Sequence, residues 1–276
     1  KCFNYLLKRP DVDYFAWSDG EVVMLEIIKR FIEKNFSVEN LSKNDEPING
    51  CASISNDKKR LLVGKYLARI GMEGSVKSSG RDIILSPYTT GLLDKFLDGR
   101  SIPAFETARG CPFMCTFCDQ GLDSSKITAF SVKRLMEEFW YVAEKMSQYK
   151  NGSKNIAIYD SNWGLFEKDV KLSEQLLEVM DKYDWPQFIE CLTPKSNREN
   201  LLKINDTLKN RVAVGLSMQS MNALTLSDIK RKNWTTQEYI DYVEEIKKRG
   251  KQASSEMIIP LPGETKETYF EGIKFL

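Results

Sequence analysis

The chain has 276 residues, 42% of them hydrophobic and 29% charged, which supplies apolar mass for a substantial core and excludes a disordered tail or linker. Its 40 Lys and Arg against 39 Asp and Glu leave a net charge of +1, which excludes a general attraction to nucleic acid, an acidic membrane surface or a polyanion. No apolar run reaches the roughly 18 residues of a membrane-spanning helix, and no charged leader with an apolar segment and cleavage site opens the chain, so a cytoplasmic protein is expected.

The opening KCFNYLL lacks an initiator methionine and the closing EGIKFL stops inside an amphipathic pattern, so the sequence reads as an internal piece of a longer protein. Residues 11–34, DVDYFAWSDGEVVMLEIIKRFIEK, read as a strand, a Gly-containing turn and an amphipathic helix. A boundary is expected near residue 40. Beyond it, INGCASISNDKKRLLVG predicts a hairpin and ILSPYTTGLLDKFLDG an extended connector up to about residue 100.

From residue 103 strand-like runs alternate with helical patterns. PAFETARG (103–110) reads as a strand, after which Ser131 caps a helix whose Val132, Leu135, Met136, Phe139, Val142, Ala143 and Met146 follow the helical period. NIAIYDSN (155–162), QFIECLTP (187–194) and RVAVGLSMQS (211–220) are further strands, separated by helices at 172–183 and 197–208. Thr235 and Glu238 stand at capping-box spacing for a helix over 235–249 that Gly250 stops. ASSEMIIPLPGE (253–264) gives a fifth strand and a turn, and 266–276 begins a fifth helix. Five such units predict an α/β protein with a parallel sheet and helical crossovers, either a barrel or a doubly wound sheet, with chemistry at the carboxyl ends of the strands.

The six cysteines are Cys2, Cys51, Cys111, Cys115, Cys118 and Cys191, and there is no histidine. Half of them fall in one short loop, ETARGCPFMCTFCDQG, whereas a disulfide framework would spread them along a small secreted chain. Cys-x-x-x-Cys-x-x-Cys offers three soft thiolates, suited to an iron-sulfur cluster with one iron left open. The alternative is a zinc knuckle, which needs four ligands and would have to recruit Cys191 or Cys51.

RGCPFMCTFC resembles the signature of radical S-adenosylmethionine enzymes, standing at the end of the first strand of a partial (β/α)6 TIM-like barrel. The resemblance covers about 101–276 and implies that Cys111, Cys115 and Cys118 hold a 4Fe-4S cluster whose open iron chelates S-adenosylmethionine. It further implies reductive cleavage of the sulfonium bond to a 5′-deoxyadenosyl radical, the cofactors carrying the chemistry and the protein the positioning. Phe117 matches the aromatic position against the adenine, packing being the alternative role.

Other stretches match in order. YDSNWG ends the second strand where the family places groups for the methionine amino end, making Asp160, Ser161 and Asn162 candidates against the alternative of a turn or helix cap. GLSMQS resembles the family's Gly-Leu-x-x-Gln-Ser stretch, and strand alternation puts Ser217 and Gln219 on one face, toward the ribose and carboxylate of the cofactor. EMIIPLPGET corresponds to a fifth-strand motif passing near the adenine, with Pro260 where the family has glycine and thus without that amide donor. Arg231, in IKRKN, is read as a solvated helix charge rather than a contact to the cofactor carboxylate.

KRPDVDYFAWSDGEVVMLEIIKRF resembles the end of the Rossmann-like cobalamin-binding domain that precedes the barrel in one large class of these enzymes, with Asp13, Gly20 and Glu21 aligned and Ser18 and Asp19 not. LSPYTTGLLD resembles that class's connector. The implied organisation is 1–40 as the C-terminal remnant of the cobalamin-binding domain, 41–100 as connector and 101–276 as a C-terminally truncated barrel. The implied enzyme uses a 4Fe-4S cluster, S-adenosylmethionine and cobalamin, methyl transfer being the class-level expectation. Its expected partners are a small-molecule substrate and an electron donor such as flavodoxin or ferredoxin. Two other readings stand beside it: a radical methylthiotransferase acting on tRNA or protein, for which Cys2 and Cys51 are too few extra cluster cysteines, and a non-catalytic iron-sulfur or zinc module.

Overall fold

The computed structural model describes residues 2–9, 11–17, 19–41, 45–71, 80–121, 127–213 and 215–276. These residues form two compact units, one running to Gly80 and one from Arg81 to Leu276.

The first unit contains α1 (Cys2–Lys8), β1 (Phe15–Ala16), α2 (Gly20–Glu33), α3 (Val38–Leu41), β2 (Cys51–Ile54) and β3 (Leu61–Val63). The expected hairpin is present: β2 pairs antiparallel with β3 and, on its other edge, with β1, aligning Phe15 with Ala52 and Ala52 with Val63. Val23, Ile48 and Cys51 are buried together beneath this sheet. Asp19 caps the approach to α2 differently from a usual N-cap, since its buried carboxylate accepts from the Ile70 amide at 2.8 Å and faces the Arg69 guanidinium at 3.5 Å. An acidic group here also meets the positive end of the helix dipole.

The second unit contains β4 (Ala104–Phe105), β5 (Ala108–Arg109), β6 (Thr128–Ala129), α4 (Val132–Met146), β7 (Asn155–Ile158), α5 (Glu167–Tyr183), β8 (Phe188–Cys191), α6 (Arg198–Thr207), β9 (Gly215–Gln219), α7 (Ala223–Asp228), α8 (Thr236–Lys248), β10 (Ser254–Met257) and α9 (Lys266–Phe275). β4, β7 and β8 form a parallel sheet with Phe105, Ile158 and Cys191 aligned. A parallel bridge joins Ile189 to Val212 just ahead of β9, and β9 pairs parallel with β10. Chain-order neighbours thus lie side by side, the pattern of successive β-α units. Because the register is in step, the residues leaving β4, β7 and β8 emerge at the same edge.

The predicted apolar positions of α4 all pack inward except Val132, which is partly buried, and Phe139 meets Phe105 with ring centroids 4.3 Å apart. Trp163 and Trp185 complete this core. Several helices carry their own start signal. Ser131 accepts the Arg134 amide for α4, Asn222 accepts the Leu224 and Thr225 amides for α7, Thr235 and Glu238 form the expected capping box of α8, and Thr265 accepts the Thr268 amide for α9.

Two expectations need correction. The run 84–99 is not extended: Ser86 Oγ accepts the Tyr88 and Thr89 amides at 3.2 Å each, and turns lead into a 3-10 helix at Asp94–Phe96. Ser-Pro is a turn-initiating pair, which the apolar spacing masked. The strand expected over 103–110 breaks into β4 and β5, the latter pairing antiparallel with β6, because Thr107 turns aside to bond Asp160. The two compact units divide between Gly80 and Arg81, inside the segment read as the connector. The hairpin joins β1 in one sheet, while the Tyr88 hydroxyl donates to the Ala104 carbonyl at 2.7 Å and accepts its amide at 3.1 Å, fastening the connector to β4.

Candidate active site

Gly110, at a φ of +110°, turns the chain out of β5 into the cysteine loop. That conformation favours glycine because a Cβ would crowd the backbone. The loop is fixed at its middle by the Thr116 amide bonding the Ile229 carbonyl at 3.0 Å and is closed by the Cys118 amide on the Cys115 carbonyl at 3.1 Å. Its thiols differ in exposure: Cys115 is buried, Cys111 half-buried and Cys118 exposed.

All three line a cavity of about 310 Å³ at the strand ends, together with Phe117, Ser161, Asn162, Ser217 and Gln219. Sequence positions more than a hundred residues apart therefore meet at one place, as alignment of the strand ends requires. The Asn162 amide donates to Cys111 Sγ at 3.3 Å, and Ser161 donates to Gln120 Oε1. Ser217 Oγ donates to Glu256 Oε2 at 2.7 Å, across the β9–β10 pair. Gln219 sits in the left-handed region at φ +65°, and its buried Oε1 has no hydrogen-bond partner among the described residues. A strained backbone and an orphaned amide oxygen in one residue at a cavity wall are hard to explain by folding alone.

Asp160 is placed elsewhere. It is 4% exposed and does not line that cavity, its carboxylate accepting the Thr107 amide at 2.6 Å and the Thr107 hydroxyl. Burial pushes its pKa up to about 6, against the pull of the Lys168 ammonium and the Thr107 hydroxyl. Lys168 Nζ reaches Thr107 Oγ1 at 3.2 Å and Asp169 Oδ1 at 2.8 Å, so the group ties the ends of β4 and β7 to the start of α5.

Arg231 is corrected from a solvated helix charge to a half-buried lining residue in a loop. Its guanidinium donates to the Ser217 carbonyl and, at 2.8 Å, to Asn233 Oδ1. Burial pushes its pKa down, and the three nearby thiols oppose that shift. Lys195 and Glu256 were not foreseen. Lys195 follows β8 and carries no motif; its ammonium is 3.2 Å from Cys115 Sγ. Glu256 had a signal, since alternation along SSEM sets it across from Ser217, but no motif marks it. Cys191, at the end of β8, is half-buried against the core, its thiol pushed up to about 12 by desolvation and then by the Asp160 charge, which leaves it a packing residue.

The family pattern described as the radical SAM superfamily matches residues 105–276. The chain belongs to the radical SAM superfamily. Radical SAM enzymes use a 4Fe-4S cluster and S-adenosylmethionine. Over 98% of its length the chain is 24% identical to the cobalamin-dependent radical SAM methyltransferase TokK of Streptomyces tokunonensis, covering 38% of that protein. Over 68% of its length it is 27% identical to the 2-(S-pantetheinyl)-carbapenam-3-carboxylate methyltransferase of Streptantibioticus cattleyicolor, covering 28% of it. The solved structure of the cobalamin-dependent S-adenosylmethionine radical enzyme OxsB with aqua-cobalamin and S-adenosylmethionine shares the fold, with a TM-score of 0.64 at 16% identity over 99% of this chain and 37% of that one. The chain therefore spans well under half the length of these relatives.

The residues present suit the radical SAM cofactors. Three thiols from one loop open on a cavity walled by an aromatic ring, unpaired amide oxygen, hydroxyls and a guanidinium, a donor set for a soft metal cluster beside a polar zwitterionic nucleoside. Among the described residues, no helix is long and apolar enough to cross a membrane.

Proposed function

We propose that this chain is the core of a cytoplasmic, cobalamin-associated radical SAM methyltransferase acting on a small molecule. The observation that carries the reading is the convergence of Cys111, Cys115 and Cys118 with Phe117, Ser161, Asn162, Ser217 and Gln219 on one cavity. When bound there, the cluster and S-adenosylmethionine supply reductive cleavage of the sulfonium bond to a 5′-deoxyadenosyl radical.

The chain's own residues hold, orient and shield. The three thiolates anchor the cluster, and Asn162 orients Cys111 through its 3.3 Å contact. Phe117, 38% exposed, offers a ring to the adenine. Ser217 and Gln219 bond the ribose and carboxylate, Gln219 through its unpartnered Oε1 and its amide, with Arg231 contributing charge toward the carboxylate. Ser161 serves the methionine amino end. Asp160 acts one step back, keeping the strand ends in register through Thr107.

The parallel strands β4, β7, β8, β9 and β10 are read as part of a (β/α)6 barrel, and 1–40 as the tail of a cobalamin-binding domain. Support for the latter comes from α2, where Met24, Leu25, Ile28 and Ile32 are each about half exposed along one side, more apolar surface than a solvated helix face carries. Similarity to TokK over nearly the whole chain supports the same reading. A flavodoxin- or ferredoxin-like protein is the expected electron donor.

The test is anaerobic reconstitution of the full-length protein with iron and sulfide, then reduction with S-adenosylmethionine, with and without cobalamin. Expected are 5′-deoxyadenosine, its loss in Cys115→Ala, and S-adenosylhomocysteine only when cobalamin is present. Bound zinc without iron, or an intact four-iron cluster that yields no nucleoside with any methyl acceptor, overturns the reading.

A further inference from the structure

We propose that Lys195 tunes the cluster electrostatically: its ammonium, hydrogen-bonded to the Cys115 thiolate, makes the cluster easier to reduce. The inference rests on the cluster-binding reading above and adds a residue that belongs to none of the matched motifs.

Lys195 Nζ lies 3.2 Å from Cys115 Sγ, within hydrogen-bond reach of a sulfur acceptor. The same ammonium sits 4.2 Å from the centroid of the Phe113 ring, so the side chain is held over the loop by a cation–π contact as well as by the thiol. Cys115 is the most buried of the three loop thiols, at 6% exposure. A charge beside it is therefore less screened by water than one beside the exposed Cys118.

Lys195 makes no ion pair with a carboxylate among the described residues, and the acidic residue of the cavity wall, Glu256, is engaged by Ser217. The other cation of the cavity, Arg231, donates to the Ser217 carbonyl and to Asn233 and also lies near the three loop thiols, Cys115 foremost. The cluster sulfurs thus face two cations, of which Lys195 is the one free of backbone and amide acceptors among the described residues. Asn162 bonds Cys111, but as a neutral amide. Lys195 thus brings to Cys115 Sγ a positive charge that no carboxylate neutralises among the described residues.

Reduction adds one negative charge to a cluster already surrounded by thiolates. Hydrogen bonds to the sulfurs and net charge are the levers by which a protein sets the potential of such a centre. A cation at 3.2 Å stabilises the reduced form more than the oxidised one, so it raises the midpoint potential. Lys195 is a positioning and charge-supplying residue acting through Cys115.

The experiment compares wild-type, Lys195→Met and Lys195→Arg full-length proteins, reconstituted anaerobically and titrated with a one-electron chemical reductant while the reduced cluster is followed by electron paramagnetic resonance. S-adenosylmethionine affinity and iron content are measured on the same samples. Removal of the charge in Lys195→Met should lower the ratio of reduced to oxidised cluster about tenfold at fixed potential, a midpoint about 59 mV lower. Lys195→Arg should stay near wild type, with iron content and cofactor affinity unchanged in both. The proposal is overturned by an unchanged midpoint in Lys195→Met, by an equal fall in Lys195→Arg, or by loss of iron from the Met variant, which would make Lys195 a strut for the loop. A tenfold loss of cofactor affinity at constant midpoint also overturns it, by making Lys195 a ligand of the cofactor carboxylate. A wild-type protein that assembles no four-iron cluster removes the underlying reading instead.

Discussion

Between α4, α5 and the parallel strands, Phe139, Val142, Leu176, Val179 and Ile189 have no exposed surface, and their neighbours are other apolar side chains. A short distance along the same strands, the cavity wall holds three thiols, an unpartnered amide oxygen, a left-handed glutamine and two cations. The first region is built from groups that gain by leaving water; the second keeps groups that lose by it. Stability and chemistry are thereby written into separate residues of the same strands, and substitutions should sort accordingly.

The sharpest break is at the loop. Cys115→Ala should abolish cluster retention and 5′-deoxyadenosine formation, read from iron content and chromatography, while the metal-free chain loses no more than about 1 kcal/mol of stability. Phe139→Ala should do the opposite, costing about 3–5 kcal/mol in denaturant unfolding by opening a cavity against Phe105, with the cluster still assembling in whatever fraction stays folded.

Asp160 sits between the two regimes and supplies a pH test. Its folded pKa of about 6 is above the ordinary 3.8, so the neutral carboxyl is the form that folding prefers. The stabilisation is complete below about pH 4 and is lost as pH rises through about 6. Asp160→Asn should lack that decline, gaining on the wild type by up to about 3 kcal/mol between about pH 4 and pH 8, as compared by urea midpoints. A parallel pH dependence in both proteins would show that Asp160 is not the group responsible.

The smallest effect is expected at Gln219. Gln219→Gly relieves the left-handed backbone, so unfolding free energy should rise by no more than about 1 kcal/mol. S-adenosylmethionine affinity should fall about tenfold, the worth of one buried hydrogen bond, when measured by calorimetry. A tighter-binding glycine variant would place the glutamine among structural residues.

Much of this division was legible in advance. Helical spacing marked the buried face of α4, the Thr235–Glu238 pair marked the start of α8, and alternation along β9 put Ser217 and Gln219 on the cavity side. These signals are local, depending on three or four residues. What escaped depended on distant partners. Arg231 looked like any surface charge until Ser217 and Asn233 were seen to claim it, and Lys195 is brought to Cys115 by a fold that joins positions 80 residues apart. Asp160 stood at the right strand end, but its carboxylate is taken up by Thr107 and does not line the cavity. The connector at 84–99 was misread because a Ser-Pro turn lay inside an apolar pattern.

The helix starts described above bear on how this scaffold can diversify. Ser131, Asn222, Thr235 and Thr265 each satisfy amides within three residues downstream, so α4, α7, α8 and α9 begin where they do without instruction from the segments before them. Segments such as 258–263 can then be exchanged between lineages, or by an engineer, with the helical wall left standing, whereas Arg231 and Asn233 tie 230–234 to the end of β9. Novelty in what such an enzyme acts upon can accumulate in these segments while the thiol loop and the packed interior are inherited intact.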